Sequence, residues 1–257
     1  MTMLNSENIA VDRSRLADYD SIRRRLFLRL VNPLTNRTSI LNSPHTPYLD
    51  LQIVYHILIE DTDEKVASVR IDNPLFEQYG IPLEKLHSDA LLNSTRLFPS
   101  RVLPVSSLLY ETPENKGWQE DPAIICITNT EGMYGATTLL YPGTLKNVSV
   151  LLNDNLYIIP SSIDEVIAVP DSVQITPDKM KEILKDVNRN LLRCDQRLSD
   201  HLYYYDRRSN QLMAMVHIHR HITALIFLQS SAIVKLTQSV PDLHSHQSCH
   251  QPPSFPS

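Results

Sequence analysis

Two short turn segments carry the residues that are best suited to chemistry. The first turn follows the apolar run AIICITN, and the second joins two apolar runs in NLYIIPSSIDEVIAVPD. Loops at the ends of buried strands are common places for binding and catalytic sites, because a rigid sheet holds them in position. We therefore expect both turns to lie at one edge of a sheet and to contact any ligand. The candidate site residues are Asn129, Gly132, Gly135, Ser161, Ser162, Asp164 and Glu165.

Three interpretations of these turns stay open. We favour a non-enzymatic module that binds a small ligand or a partner protein. Alternatively, Asp164 or Glu165 could serve as the general base of a hydrolase or transferase, the two carboxylates pointing to opposite faces of an extended segment. In the third interpretation the turns are purely structural, with serine hydroxyls bonded to nearby backbone groups. A serine nucleophile is not predicted, because the GxSxG motif that would present it is missing from the sequence.

The composition argues against several other classes of function. A formal net charge of -5 predicts no nucleic-acid-binding surface, since phosphate recognition requires clustered Lys and Arg. The one tight basic cluster, Arg23–Arg25, is expected on a solvated helix face. The glycines of the first turn lack the rest of a dinucleotide fingerprint, so no cofactor is predicted. His217, His219 and His221 could share one face of a strand, but few carboxylates lie nearby in the sequence, and no metal site is predicted.

The sequence also predicts where the protein resides. Its first fifteen residues lack the apolar core of a signal peptide. The most apolar late stretch, residues 222–236, is too short and too polar to span a bilayer, which takes about 20 apolar residues. The three cysteines form no CxxC pair. We therefore expect a cytoplasmic protein without membrane contact, whose partner is an unknown protein or small molecule.

Periodicity predicts the elements of the first half of the chain. Residues 22–31 space their apolar side chains like one face of a short helix. The runs 49–60 and 66–71 are rich in β-branched and aromatic residues and predict an antiparallel hairpin. Asn73 and Pro82 are typical of helix starts, so two helices are expected to follow the hairpin.

The second half repeats this mixture of strands and helices. A buried strand is predicted over residues 123–129, followed by a helix that Pro142 should interrupt. Residues 160–162 form the predicted bend of a strand pair. A clear amphipathic helix begins after Thr176, and a last hairpin should turn at residues 207–210.

Together these elements predict an α+β fold with mixed sheets, helices packed on them, and two tightly associated halves. The polar stretch 111–121 is the predicted linker, which gives an N-terminal half over 22–112 and a C-terminal half over 121–214. Residues 215–257 differ in composition, being poor in charge and rich in histidine, and are expected to form a disordered tail.

Four separated blocks of the sequence resemble a known family. They are RLVNPLTNRTSILNSPHTPYLDLQIVYHILIE, ALLNSTRLFPS, TNTEGMYGATTLLYP and LYIIPSSIDEVIAVPD. Their order and spacing are similar to those of a bacterial family, the domain of unknown function 5688, over roughly residues 22–212. The resemblance implies a compact bacterial cytosolic protein and no particular activity. The family usually has a histidine after PSSI, where this chain has Asp164, so a role of that histidine would not carry over.

Overall fold

The first sheet is formed by strands from the N-terminal part of the chain. The computed structural model describes residues 2–4, 13–62, 65–109 and 124–215. The strand order is β1-β5-β4-β2, with β3 beside β4, and only the β1–β5 pair is parallel among the described strands. The five strands are β1 (Thr2–Leu4), β2 (Leu26–Val31), β3 (His45–Tyr48), β4 (Leu51–Thr62) and β5 (Lys65–Arg70). The predicted hairpin of β4 and β5 is confirmed.

The prediction of a helix over residues 22–31 is wrong for most of that segment. The helix α1 (Tyr19–Ile22) ends there, a 3₁₀ turn spans Arg23–Arg25, and Leu26–Val31 forms β2. All six residues of β2 are buried. A strand that is buried on both faces hides the alternation that identifies it, so its leucines also fit a helical spacing.

Three further helices lie on or beside the first sheet. They are α2 (Arg37–Leu41), α3 (Asn73–Tyr79) and α4 (Leu83–Leu97). The N-cap of α3 is Asp72 rather than Asn73, and its carboxylate accepts a hydrogen bond from Leu75 N at 3.0 Å. Gly80 ends that helix in the left-handed conformation that glycine adopts readily.

The open edge of β2 is closed by side-chain hydroxyls. Leu28 N donates to Ser94 Oγ of α4 at 2.8 Å, and Leu30 N donates to Thr137 Oγ1 at 3.2 Å. An exposed row of backbone N–H groups would be a template for pairing with another chain. Ser94 and Thr137 satisfy two of these groups and so join α4 and the second half of the chain to the first sheet.

The second sheet contains six antiparallel strands in the order β11-β10-β8-β9-β7-β6. A 3₁₀ turn over Gly135–Leu140 precedes α6, and the break at Pro142 is confirmed. The predicted strand pairs at residues 160–162 and 207–210 are confirmed as well. The elements are β6 (Ser100–Pro104), α5 (Val105–Leu109), β7 (Ile125–Asn129), α6 (Thr144–Leu152), β8 (Leu156–Ile159), β9 (Val166–Pro170), α7 (Pro177–Asn190), β10 (Tyr203–Asp206) and β11 (Gln211–Ala214).

The two parts of the chain share one core. Leu28 and Tyr55 of the first sheet pack in the same buried cluster as Ile127 and Ile158 of the second sheet. A second cluster lies on the other face of the second sheet and includes Met180 of α7. The fold is therefore α+β, as predicted. The strand β6 precedes the predicted linker but pairs in the second sheet, so the division into halves at residues 113–120 stays a prediction.

Two further predictions concern membrane spans and the C-terminal tail. In the described residues, no helix is both long and apolar enough to cross a membrane. The predicted disordered tail lies outside the described residues from residue 216 onward, and so do His217, His219 and His221.

A partly buried polar clamp joins the β3–β4 turn to the second half. The carboxylate of Asp50 accepts hydrogen bonds from Ser199 Oγ, from His201 Nδ1 at 2.8 Å and from Tyr203 OH at 2.7 Å. Burial alone would raise the pKa of Asp50, but these three hydrogen bonds outweigh it and hold the pKa below its ordinary value. The clamp should therefore stabilise the fold while Asp50 is ionised.

Replacing Asp50 with alanine should lower the free energy of unfolding by about 1–3 kcal/mol, because the hydroxyl of the buried Tyr203 loses its acceptor. Denaturant unfolding would measure the loss, with Asp171→Ala as control, since Asp171 accepts from the Tyr204 hydroxyl in an exposed hydrogen bond. Because the pKa of Asp50 is lower in the folded state than in the unfolded state, the ionised carboxylate stabilises the fold above the unfolded-state pKa of about 4. The difference in unfolding free energy between the unaltered chain and Asp50→Ala should therefore shrink as the pH falls below about 4. A difference that grows in acid would contradict this account.

Candidate functional site

The two predicted turns lie against each other. Thr128 Oγ1 donates to the Asp164 carbonyl at 2.7 Å, and Ala136 N donates to the Ile163 carbonyl at 3.2 Å. Tyr134 N donates to Asp164 Oδ1 at 2.8 Å. The sheet places the turns side by side because β7 and β9 are neighbouring strands. The structure thus brings the segment 129–135 and the segment 161–165 together.

Close packing and a strained residue shape the first turn. An added Cβ at Gly135 would overlap Thr128 Oγ1 and the Asp164 carbonyl, so only glycine fits. Tyr134, just before it, has φ 52° and ψ 26°, a left-handed conformation that costs a bulky residue about 1–2 kcal/mol. Strain of this kind is often found at functional sites. The turn therefore fixes the backbone from which the Tyr134 side chain extends.

Three of the predicted site residues make bonds within their own turns. Asn129 Nδ2 donates to the Met133 carbonyl at 2.8 Å, and Asn129 Oδ1 accepts from Glu131 N at 3.1 Å. Ser162 Oγ accepts from Asp164 N at 3.0 Å, and Ser161 Oγ donates to the Glu165 carbonyl at 3.1 Å. These side chains hold the turns in shape. Gly132, with φ 65°, allows the first turn to bend.

The adjacent carboxylates point in opposite directions. Asp164 lies toward Tyr134 and the first sheet, whereas Glu165 contacts the Cys126 thiol at 3.6 Å on the other side of β7. Burial raises the pKa of Asp164, and the Tyr134 N–H and the positive charge of Arg29 partly offset it. Burial also raises the pKa of Glu165, and the pKa of Cys126 is raised mainly by burial too. The Cys126 thiol therefore stays protonated near neutral pH.

Sequence reasoning missed a buried basic cluster on the first sheet, opposite the candidate turns. The four residues of this basic cluster are Arg29 of β2, His56 of β4, and Ser68 and Arg70 of β5. The strand register pairs Phe27 with His56 and His56 with Arg70, so all these side chains lie on the same face. Arg29 and His56 are each only 3% exposed. Buried charged groups of this kind require partners.

Tyr134 connects the basic cluster to the two turns. The Arg29 guanidinium carbon lies 3.7 Å from the centre of the Tyr134 ring and 5.3 Å from that of Phe27, a cation–π arrangement. Burial lowers the pKa of Arg29 to about 10, so the guanidinium remains charged at neutral pH. The positive charge is thus held between two aromatic rings, in electrostatic contact with Asp164.

The hydrogen bonds of the cluster determine the tautomer of His56. Arg29 Nη2 donates to Ser68 Oγ at 2.6 Å, and Ser68 Oγ lies 3.3 Å from His56 Nδ1. Because Ser68 Oγ already accepts a hydrogen bond from Arg29, we assign its own proton to a hydrogen bond with His56 Nδ1, which places the histidine proton on Nε2. Burial and the charges of Arg29 and Arg70 hold the pKa of His56 well below 6.5, so the ring is neutral.

Among the buried donors of the cluster, His56 Nε2 and Arg70 Nη1 have no acceptor in the part of the chain that the structure describes. An unsatisfied buried donor costs about 1–3 kcal/mol, more for a charged group. Beside the cluster, Phe27, Met133 and Tyr134 line a narrow cleft with a free volume of about 10 Å³, roughly enough for one water molecule. Anything larger must displace a side chain to enter.

One signal in the sequence could have revealed the cluster. In each of the strands β2, β4 and β5, one titratable residue takes a place in the strand's alternation that puts it on the same face of the sheet. These residues are Arg29, His56 and Arg70. Interpreting residues 22–31 as a helix removed Arg29 from this pattern. Among the described residues, no group of three or more His, Cys, Asp or Glu side chains could hold a metal ion.

Comparison with known proteins gives a family but no activity. Neither the curated proteins nor the solved structures contain a match to this chain. One family model, described as a family of unknown function (DUF5688), matches residues 1–207. The match covers both candidate turns, β2, β4, β5 and the whole basic cluster, and it confirms the resemblance seen in the sequence. The chain therefore belongs to the family of unknown function DUF5688.

Proposed function

We propose that this protein is a non-enzymatic binding module for a small molecule with an anionic group, a carboxylate or a phosphate. The ligand is held between the basic cluster and the turns that contain Asn129–Gly135 and Ser161–Glu165. The observation that carries this proposal is the pair of buried donors, His56 Nε2 and Arg70 Nη1, for which the described residues supply no acceptor. An anionic oxygen would satisfy both donors, and Arg in particular matches the geometry of carboxylate and phosphate.

The charges near the cluster support an anionic ligand. Arg29 and Arg70 are both cations in a buried region, whereas Asp164 is a single carboxylate whose own pKa is raised by burial. Burying the Arg70 cation is unfavourable without an anionic partner, and the described residues supply no acceptor to its Nη1. Tyr134 lies beside both arginines and lines the cleft, so rotation of its side chain would admit the ligand. A bacterial, cytoplasmic setting is part of the proposal.

A second candidate is an enzyme that uses Asp164 or Glu165 as a general base. The raised pKa of each carboxyl favours it, because catalytic acids and bases are often tuned toward neutral pH by burial. Against it, Asp164 Oδ1 is already bonded to Tyr134 N, and Glu165 lies on the opposite side of β7 from the basic cluster. A ligand recovered chemically unchanged after incubation, as measured by mass spectrometry, would favour the binding module.

Replacing Arg70 with methionine should weaken binding of the preferred anion at least tenfold, because the substitution removes one of the two donors and its charge. Isothermal titration calorimetry with inorganic phosphate and with acetate would measure this and would distinguish a phosphate from a carboxylate site. The control is Arg37→Met, which removes the same charge from an exposed position. If neither anion binds in the millimolar range, or if Arg70→Met binds as tightly as the unaltered chain, the proposal is overturned.

A further inference from the structure

A second basic region lies on the surface beside α4, apart from the buried cluster. It is a groove of about 710 Å³ whose charged lining comprises Arg23, Arg24, Arg25, Lys85, Arg96 and the carboxylate Asp89. Five basic side chains against one acidic side chain give this groove a positive character, although Arg23 also pairs with Asp20 at 3.6 Å and the whole chain has a formal net charge of -5. The prediction of a solvated helix face for Arg23–Arg25 is wrong in its geometry, because they form a 3₁₀ turn.

Hydrogen bonds from α4 hold the backbone of the 3₁₀ turn that carries Arg23–Arg25 of the groove. Asn93 Nδ2 donates to the Arg23 carbonyl at 2.6 Å, and Arg96 Nη2 donates to the Arg24 carbonyl at 2.7 Å. These bonds fasten the 3₁₀ turn to α4. A partner that binds there would not have to order the backbone that carries the charges, which is the advantage of a preorganised site.

The one carboxylate of the groove is already neutralised. Asp89 accepts from Lys85 Nζ at 2.7 Å and from Tyr19 OH at 2.8 Å. The Arg24 guanidinium, in contrast, is exposed and forms no hydrogen bond or ion pair with the described residues. Leu92, which also lines the groove, is 71% exposed. The groove therefore offers free positive charge next to an apolar side chain.

We infer that this groove is a docking site for a short acidic segment of a partner protein, with an apolar side chain that covers Leu92. Its positive charge complements glutamates or aspartates and would steer them to the surface. A long polyanion is less well matched, because phosphates that extend past the groove meet a chain whose formal net charge is -5. Leu92 adds an apolar contact that peptides can use.

Fluorescence polarisation with a labelled Glu- and Leu-containing peptide tests this inference on the full chain. The peptide should bind, binding should weaken as salt rises, and Arg24→Glu should weaken it at least fivefold. The control Arg37→Glu makes the same change of charge at an exposed position outside the groove and should leave affinity unchanged. A peptide in which lysine replaces glutamate should not bind.

Three results would overturn the inference. They are the absence of peptide binding at low salt, equal losses for Arg24→Glu and Arg37→Glu, and tighter binding of a single-stranded oligonucleotide than of the acidic peptide. The last result would assign the groove to nucleic acid. The inference does not depend on the buried basic cluster, so Arg70→Met should bind the acidic peptide normally.

Discussion

Replacing Gly135 with alanine is expected to lower the free energy of unfolding by about 3 kcal/mol or more. A Cβ at this position would overlap Thr128 Oγ1 and the Asp164 carbonyl and would lie 2.8 Å from Asn129 N. Two of these atoms belong to backbone, so the added methyl group can be accommodated only if the two turns separate. Separation would break the hydrogen bond from Tyr134 N to Asp164. Anion binding should therefore fall together with stability.

Gly132→Ala is the matched control for this prediction. Gly132 has φ 65°, but apart from its chain neighbours no heavy atom of the described residues lies within 4 Å of the position its Cβ would take. Its replacement should cost only the backbone strain, about 1–2 kcal/mol. Urea-induced unfolding of Gly135→Ala and Gly132→Ala would separate the cost of an overlapping Cβ from the cost of backbone strain. Equal losses for the two variants would show that the turns are not packed as closely as described.

Replacing Asp164 with alanine should lower the free energy of unfolding by about 2–4 kcal/mol. The substitution leaves Tyr134 N without its acceptor and removes a carboxylate that interacts with the buried Arg29. Because burial raises the pKa of Asp164, its negative charge contributes less than its hydrogen bond. Asp164→Asn keeps an acceptor oxygen and should therefore cost only about 1 kcal/mol.

Thermal and chemical unfolding of the two Asp164 variants would measure these differences. A loss for Asp164→Asn as large as that for Asp164→Ala would mean that the charge, not the hydrogen bond to Tyr134, stabilises the junction of the turns. If both variants unfold like the unaltered chain, Asp164 has no structural role at this junction. Parallel calorimetry with phosphate and acetate would show whether the variants also lose anion affinity.

Local patterns were sufficient for most elements. The alternation in β4 and β5, the bend at residues 160–162 and the cap at Thr176 each act within a few residues, so the sequence displays them directly. The sequence places each turn next to a buried strand. The two turns meet because β7 and β9, the strands that adjoin them, are neighbours in one sheet. Whether these turns bind a ligand stays a prediction.

The parts that could not be predicted depend on contacts between distant residues. The strand β2 is buried on both faces because α4 and the second half cover it, and nothing within residues 26–31 distinguishes that from a buried helix. The basic cluster joins Arg29, His56 and Arg70 across three strands, so it exists only once their register is known. Likewise, β6 pairs with β7 across a gap of about twenty residues.

Side-chain nitrogen NMR of His56 and Arg70 during titration with phosphate and acetate tests the anion site most directly. We predict that His56 is neutral with its proton on Nε2 at pH 7. We also predict that one of the two anions shifts His56 Nε2 and the Arg70 guanidinium together and saturably, while the guanidinium of the exposed Arg37 stays unchanged. Equal shifts at Arg37 and Arg70, or no shift at His56 and Arg70 with either anion, would contradict the account.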